Sequence, residues 1–190
     1  MGSGKTTVCQ IFEQLGIPVY NADSEAKKLY VTHEGLKRGV LELLGDSAYF
    51  TDGSLNREWI KEAIFSDNAK RQALNKMVHP LLLEEFNVWC TQKNDGKTPY
   101  ILKEAAILFE TGSYKELDFV IGVLAPKPLI LERIMQRDSI NAKETSKRLK
   151  AQWPEKKWQA LCKYTILNDG KAPLIKQVLK THKSIVLGQQ

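Results

Sequence analysis

Apolar residues recur at helical spacing from the start of the chain: Val8, Ile11, Phe12 and Leu15 share one face, and Gly16 stands where a left-handed residue would end the helix. Residues 17–20 form a short apolar run that reads as a strand, leading into a loop at Asn21, Ala22 and Asp23. From Ser24 to about Asp95 the periodicity is helical throughout. Leu36, Val40, Leu43 and Leu44 share one face, then Trp59, Ile60, Ala63 and Ile64, then Leu74, Met77 and Val78. Pro80 is expected to break or restart the last of these helices, because it has no N–H and its ring crowds the preceding turn. A turn at residues 94–96 precedes an apolar run over 100–108. Residues 118–124 are continuously rather than alternately apolar, as in parallel strands covered on both faces. The spacing then predicts helices over 129–138 and 142–152, the second opened by Asn141 with Glu144 three residues on, a capping-box spacing. Pro154 suits the first turn of another helix, residues 164–167 a last strand, residues 168–170 a turn, and residues from 173 to about 186 a final helix.

Strands alternating with helices imply an α/β fold with a parallel sheet flanked by helices. The helical stretch between the strands reads as an insertion. Composition narrows the class. With 190 residues, 43% of them hydrophobic, the chain can bury a full core. Its longest apolar stretch, residues 119–125, is too short to span a bilayer, and its start lacks the regions of a signal peptide. A cytoplasmic protein with no membrane partner is therefore expected. Cys9, Cys90 and Cys162 are odd in number and widely separated, which fits three reduced thiols better than disulfides or a metal site.

The net charge of +6 is concentrated. Residues 126–163 hold ten Lys or Arg against four Asp or Glu, a difference of six that equals the excess of the whole chain. Such a segment suits a lid that closes over substrate phosphates, or equally a solvated helical face. No aromatic-rich strand, zinc spacing or nucleic-acid motif accompanies it, so a nucleic-acid partner is not expected.

The first residues give the charge a use. Gly2, Ser3, Gly4, Lys5, Thr6 and Thr7 read as the back half of a phosphate-binding loop, which is Gly, four residues, Gly-Lys-Ser/Thr between a strand and a helix. Gly2 and Gly4 let the backbone approach an anion, Lys5 offers a charge to the β- and γ-phosphates, and the Thr6 hydroxyl suits Mg²⁺. A flexible Gly/Ser-rich terminus is the plainer alternative. The first loop glycine would fall before Met1, so about ten further residues, including a strand, are expected upstream. That strand would lie between those of residues 100–104 and 118–124, keeping the two from pairing directly. Asp23, at the end of the next strand, stands where ligands of such sheets bind, and serves equally well as an N-cap for the following helix. Arg133 and Arg137 lie four apart on one helix face, with Arg148 on the next helix.

Six pieces in order, GSGKTT, LGIPVYNADSEAKKL, MVHP at 77–80, ILFETG at 107–112, RIMQRD at 133–138 and ILNDG at 166–170, resemble the dephospho-coenzyme A kinases over nearly the whole chain. That resemblance implies a P-loop NTPase-type core over residues 1–23, 97–126 and 163–190, a helical substrate-binding region over 24–96 and a lid over 127–162. It implies transfer of the ATP γ-phosphate to the ribose 3′-hydroxyl of dephospho-coenzyme A, with ATP and Mg²⁺. Asp23 would be the acceptor base, Lys5 and Thr6 would serve phosphate and metal, and Arg137 would be the lid arginine on the phosphates. Asn168 and Gly170 would lie near adenine, and His79, Phe109 and Glu110 would flank the acceptor, although His79 also suits a helix cap and Phe109 a core position. The chain departs from the family pattern with Asn21 in place of an aspartate, and with Glu104 to Leu108 in place of Asp-Ile-Pro-Leu-Leu. Glu104 keeps an acid near the strand end. Another small-molecule or nucleoside monophosphate kinase of this fold, or a nucleotide-binding protein that has lost catalysis, are the rival readings.

Overall fold

A computed structural model describes residues 1–150 and 152–188. Residues 151, 189 and 190, which fall in the expected lid helix and core, lie outside the described residues. The chain forms two units, one of Met1–Val19 with the chain from Gly96 onward, the other of Tyr20–Asp95. Residues 127–162, read from the sequence as a lid, group with the first unit.

In the first unit, α1 (Lys5–Gln14) starts at Gly4, whose φ of 89° is left-handed and which carries no side-chain cap. It ends as its sequence implies. The Gly16 N–H donates to the Glu13 carbonyl at 2.9 Å with φ at 82°, a conformation glycine adopts without a Cβ clash. Val8 and Phe12, the inward face of α1, pack with Ile17, Val123, Ile166 and Val178 into one core. Burial of a side chain such as Phe12, 1% exposed, contributes about 1.5–3 kcal/mol.

Four strands are present among the described residues: β1 (Val19–Asn21), β2 (Leu102–Glu104), β3 (Ile121–Leu124) and β4 (Tyr164–Leu167). They form two pairs rather than one continuous sheet. β1 lies with β2, where the Leu102 N–H donates to the Pro18 carbonyl at 2.9 Å. β3 runs parallel to β4 in the register Ile121 to Tyr164 through Leu124 to Leu167. β2 and β3 share no ladder among the described residues. Between β3 and β4 the chain runs through α6 (Lys127–Asp138), α7 (Ala142–Lys150) and α8 (Glu155–Gln159), and α9 (Leu174–Leu187) closes the unit. Asn141 opens α7 as its spacing implies, accepting the Glu144 N–H at 3.0 Å. On β3, a Cβ at Gly122 would lie 2.8 Å from the Trp158 ring and 2.9 Å from the Cys162 sulfur, so glycine lets α8 and the residues after it close on the strand.

In the second unit, α2 (Ala22–Thr32), α3 (Glu34–Leu44), α4 (Arg57–Ser66) and α5 (Asn68–Lys93) enclose a core of Leu29, Leu36, Val40, Leu44, Ala48, Ile60, Leu74 and Val78. Most of these stood on the predicted apolar faces. Two expectations about the stretch from residue 46 onward fail. Residues 46–56 are not helical: Gly45 and Gly53 take φ of 84° and 81°, a 3₁₀ turn covers Asp46–Ala48, and Tyr49 bridges Leu55 in antiparallel fashion. Pro80 does not break its helix, because α5 runs through it. The proline lies on the exposed side, as does Lys76 one turn earlier, whose carbonyl would have received the missing N–H and can be hydrated instead. Leu74 and Val78 before it, with Leu81 and Leu82 after it, hold the apolar face to the core.

Candidate active site

The loop before α1 is shaped by two glycines and one asparagine. Gly2 and Gly4 have φ of 72° and 89°. A Cβ at Gly2 would lie 2.8 Å from Ile134 and 3.0 Å from Ile130, so α6 packs directly on the loop. A Cβ at Gly4 would run into the side-chain nitrogen of Asn168. That amide donates to the buried Ser3's carbonyl at 2.8 Å, while the Asn168 N–H donates to Leu124 at the end of β3 at 2.8 Å. Lys5 opens α1, and Thr6 and Thr7 follow on its exposed side.

The Thr6 hydroxyl donates to the Glu104 carboxylate at 2.6 Å, joining the loop to the end of β2. Both groups present oxygen, the ligand atom Mg²⁺ prefers. No group of three His, Cys, Asp or Glu is assembled for a metal among the described residues. The two oxygens by themselves fit a small hard cation such as Mg²⁺.

On α6, Arg133 and Arg137 do not reach the same partner. The Arg133 guanidinium donates to the Asn168 carbonyl and to its Oδ1, both at 3.3 Å. Arg137 donates to Asp138 at 2.7 and 3.2 Å, and Arg148 donates to the same carboxylate at 2.7 Å. The Asp138 carboxylate raises the Arg137 pKa, keeping it fully charged. Arg137 is 60% exposed, so exchanging Asp138 for a phosphate costs little, exposed ion pairs contributing about 0–1 kcal/mol. Sequence spacing gave no sign of Asp138 as a shared partner; only its adjacency to Arg137 pointed there.

The family model for dephospho-CoA kinase matches residues 1–173. The chain belongs to the dephospho-CoA kinase family. The family member of Chlorobaculum tepidum is 36% identical over 192 residues, covering 98% of this chain and 91% of its own. That of Bacteroides fragilis is 32% identical over 180 residues, covering 95% and 86%. The crystal structure of TT1252 from Thermus thermophilus superposes with a TM-score of 0.85 at 26% identity, over 97% of this chain and 92% of that one. A dephospho-CoA kinase structure from Campylobacter jejuni has the same fold, with a TM-score of 0.72 at 23% identity, over 100% and 95%. The chain is accordingly a kinase, with the α/β fold of parallel strands flanked by helices.

Gly170 has φ of 79° in a turn where Asp169 accepts the Lys171 and Ala172 N–H groups at 2.9 and 2.8 Å. Phe109 stacks against Trp153 and Trp158, with centroids 6.2 and 5.9 Å away, and Glu110 accepts the Trp153 N–H at 2.8 Å. In the second unit, Asp23 is exposed in the first turn of α2. It is not the N-cap: Asn21 takes that place, its Oδ1 accepting the Ser24 N–H at 2.9 Å, and the helix starts at Ala22 where a loop was expected. The cap leaves the Asp23 carboxylate available and gives Asn21 a structural use. His79 likewise caps nothing, being well inside α5 on its exposed side, where partial burial lowers its pKa and favours the neutral imidazole.

Proposed function

We propose that the protein transfers the γ-phosphoryl group of ATP to the ribose 3′-hydroxyl of dephospho-coenzyme A, giving coenzyme A and ADP. Family membership over residues 1–173 is the observation that carries this reading, and the left-handed glycine loop at the start of α1 supports it. The backbone N–H groups of Gly2 to Thr7 and the Lys5 ammonium bind the β- and γ-phosphates. Thr6 and Glu104 would hold Mg²⁺, which would supply neutralisation of charge on those phosphates. Asp23 accepts the proton of the 3′-hydroxyl as its oxygen bonds to the γ-phosphorus and the bond to the β,γ-bridging oxygen breaks, leaving ADP. Arg137 turns from Asp138 to the transferring phosphoryl group, where a cation stabilises charge that moves in the transition state.

Residues 24–96 bind the acceptor, with His79 presented in its neutral form, and residues 127–162 act as the lid. Asn168 and Gly170 border the adenine site, and Phe109 and Glu110 border the acceptor. Labelled phosphate from γ-labelled ATP should appear in dephospho-coenzyme A and not in AMP, CMP or shikimate. Preferred transfer to one of those three would reassign the acceptor, and ATP binding with no transfer to any would make the protein a nucleotide-binding relative without catalysis.

A further inference from the structure

We propose that Arg133 is a positioning residue for the phosphate loop, acting through Asn168; the inference rests on the phosphotransfer reading given above. The peptide unit between Ser3 and Gly4 is the part of the loop that the clamp orients. Its carbonyl is taken by the Asn168 amide at 2.8 Å. No peptide bond among the described residues is cis, so the N–H of the same unit, that of Gly4, points the opposite way, to the side away from Asn168. The clamp therefore sets the direction in which a loop N–H is offered to a ligand.

Asn168 holds that aim only if its own side chain cannot turn. An asparagine amide has two near-equivalent orientations about its last torsion, and exchanging them would present an oxygen to the Ser3 carbonyl. Arg133 removes the choice. It has donors only, so its bond to Oδ1 at 3.3 Å requires oxygen on that side and nitrogen toward Ser3. Its second donor, on the Asn168 backbone carbonyl at 3.3 Å, fixes the guanidinium plane. The planar fork of arginine meets both oxygens, which a lysine ammonium cannot do in one geometry. The Asn168 backbone is itself tied to β3 through Leu124. Arg133 and the loop are also joined by packing, since Ile130 and Ile134 of the same helix lie against Gly2. Helix α6 thus carries one arginine that aims the loop and another, Arg137, that faces Asp138.

The test compares Arg133→Ala, Arg133→Lys, Asn168→Ala and the double alanine variant, by calorimetric ADP binding and by KM for ATP and for dephospho-coenzyme A. Arg133→Ala should weaken ADP binding and raise the ATP KM about tenfold, with the acceptor KM within twofold. Arg133→Lys should fall between wild type and alanine. Because both residues act through one contact, the double variant should be no weaker than the worse single variant. ADP affinity within twofold of wild type in Arg133→Ala, or single effects that multiply in the double variant, would overturn the proposal. If Arg133→Ala does not fold, a Lys variant that binds ADP as tightly as wild type does so as well. Since ADP binding is read without turnover, a wild type that binds ADP but leaves dephospho-coenzyme A unmodified would sink the acceptor reading and leave the clamp standing.

Discussion

Removing one oxygen from Tyr20 should make the protein more stable. Tyr20 is 3% exposed, and its hydroxyl is the one buried side-chain N or O atom among the described residues with no hydrogen-bond partner. A buried hydroxyl without a partner costs about 1–3 kcal/mol relative to water. Tyr20→Phe abolishes that cost while keeping the ring, which packs with centroids 5.0 Å from Phe86 and 5.3 Å from Trp89. Allowing for the small void an oxygen leaves, a gain of about 1 kcal/mol is expected, or about 2–4 °C in melting temperature for a chain of this size. Tyr49→Phe is the matched control. The Tyr49 hydroxyl donates to the Tyr30 carbonyl at 2.7 Å, so its loss should cost about 0.5–1.5 kcal/mol. Urea titrations of both variants beside wild type provide the assay, the midpoints moving in opposite directions. A Tyr20→Phe midpoint below that of wild type would show the hydroxyl to be partnered and refute the reasoning.

Asp23→Asn should lower kcat about 10²–10⁴-fold with ATP affinity nearly unchanged, and a loss under tenfold would remove Asp23 as acceptor base. Arg137→Ala should lower kcat about 10²-fold at saturating substrates, with little recovery in Arg137→Lys; unchanged kcat would place the arginine outside the site. Gly4→Ala combines a left-handed φ with a collision against Asn168, so it should cost about 2–4 kcal/mol in a urea titration and weaken ATP binding; stability within 0.5 kcal/mol of wild type, roughly the scatter of a neutral surface change, would contradict that loop geometry. Burial, with Glu104 and Glu13 nearby, pushes the Cys9 thiol from 9.0 up to about 12. The folded state then holds its proton where the unfolded state has released it, so this contribution is whole below pH 9.0 and fades as pH rises toward about 12. Cys9→Ala should flatten that alkaline fall in the denaturation midpoint, and an unchanged slope would exclude Cys9 as its source.

Features set by neighbours in the chain were legible in the sequence: the left-handed Gly16 after α1, the Asn141 cap of α7, the Asp169 turn and the apolar faces of α3 and α5 all follow from short spacings. What escaped depends on distant contacts or solvent exposure. Arg133 and Asn168 lie 35 positions apart, and only folding brings the fork of one to the amide of the other. The continuation of α5 through Pro80 depends on which side of the helix faces water, which local propensity does not contain. Asn21 and Asp23 both suit the start of a helix by type, and backbone geometry chose between them.

Gly122 also constrains the order in which this sequence can change over generations. Alanine at 122 meets Trp158 and Cys162 at under 3 Å, so it is blocked while both stay as they are. A smaller residue at 158 or 162 opens the space first, at the cost of lost packing, and only afterwards does alanine at 122 become tolerable and help to fill it. Once that alanine is in place, return of the larger side chain is blocked in turn. The three positions therefore drift as a ratchet, each accepted step deciding which reversions remain viable, although no bond joins glycine to either partner.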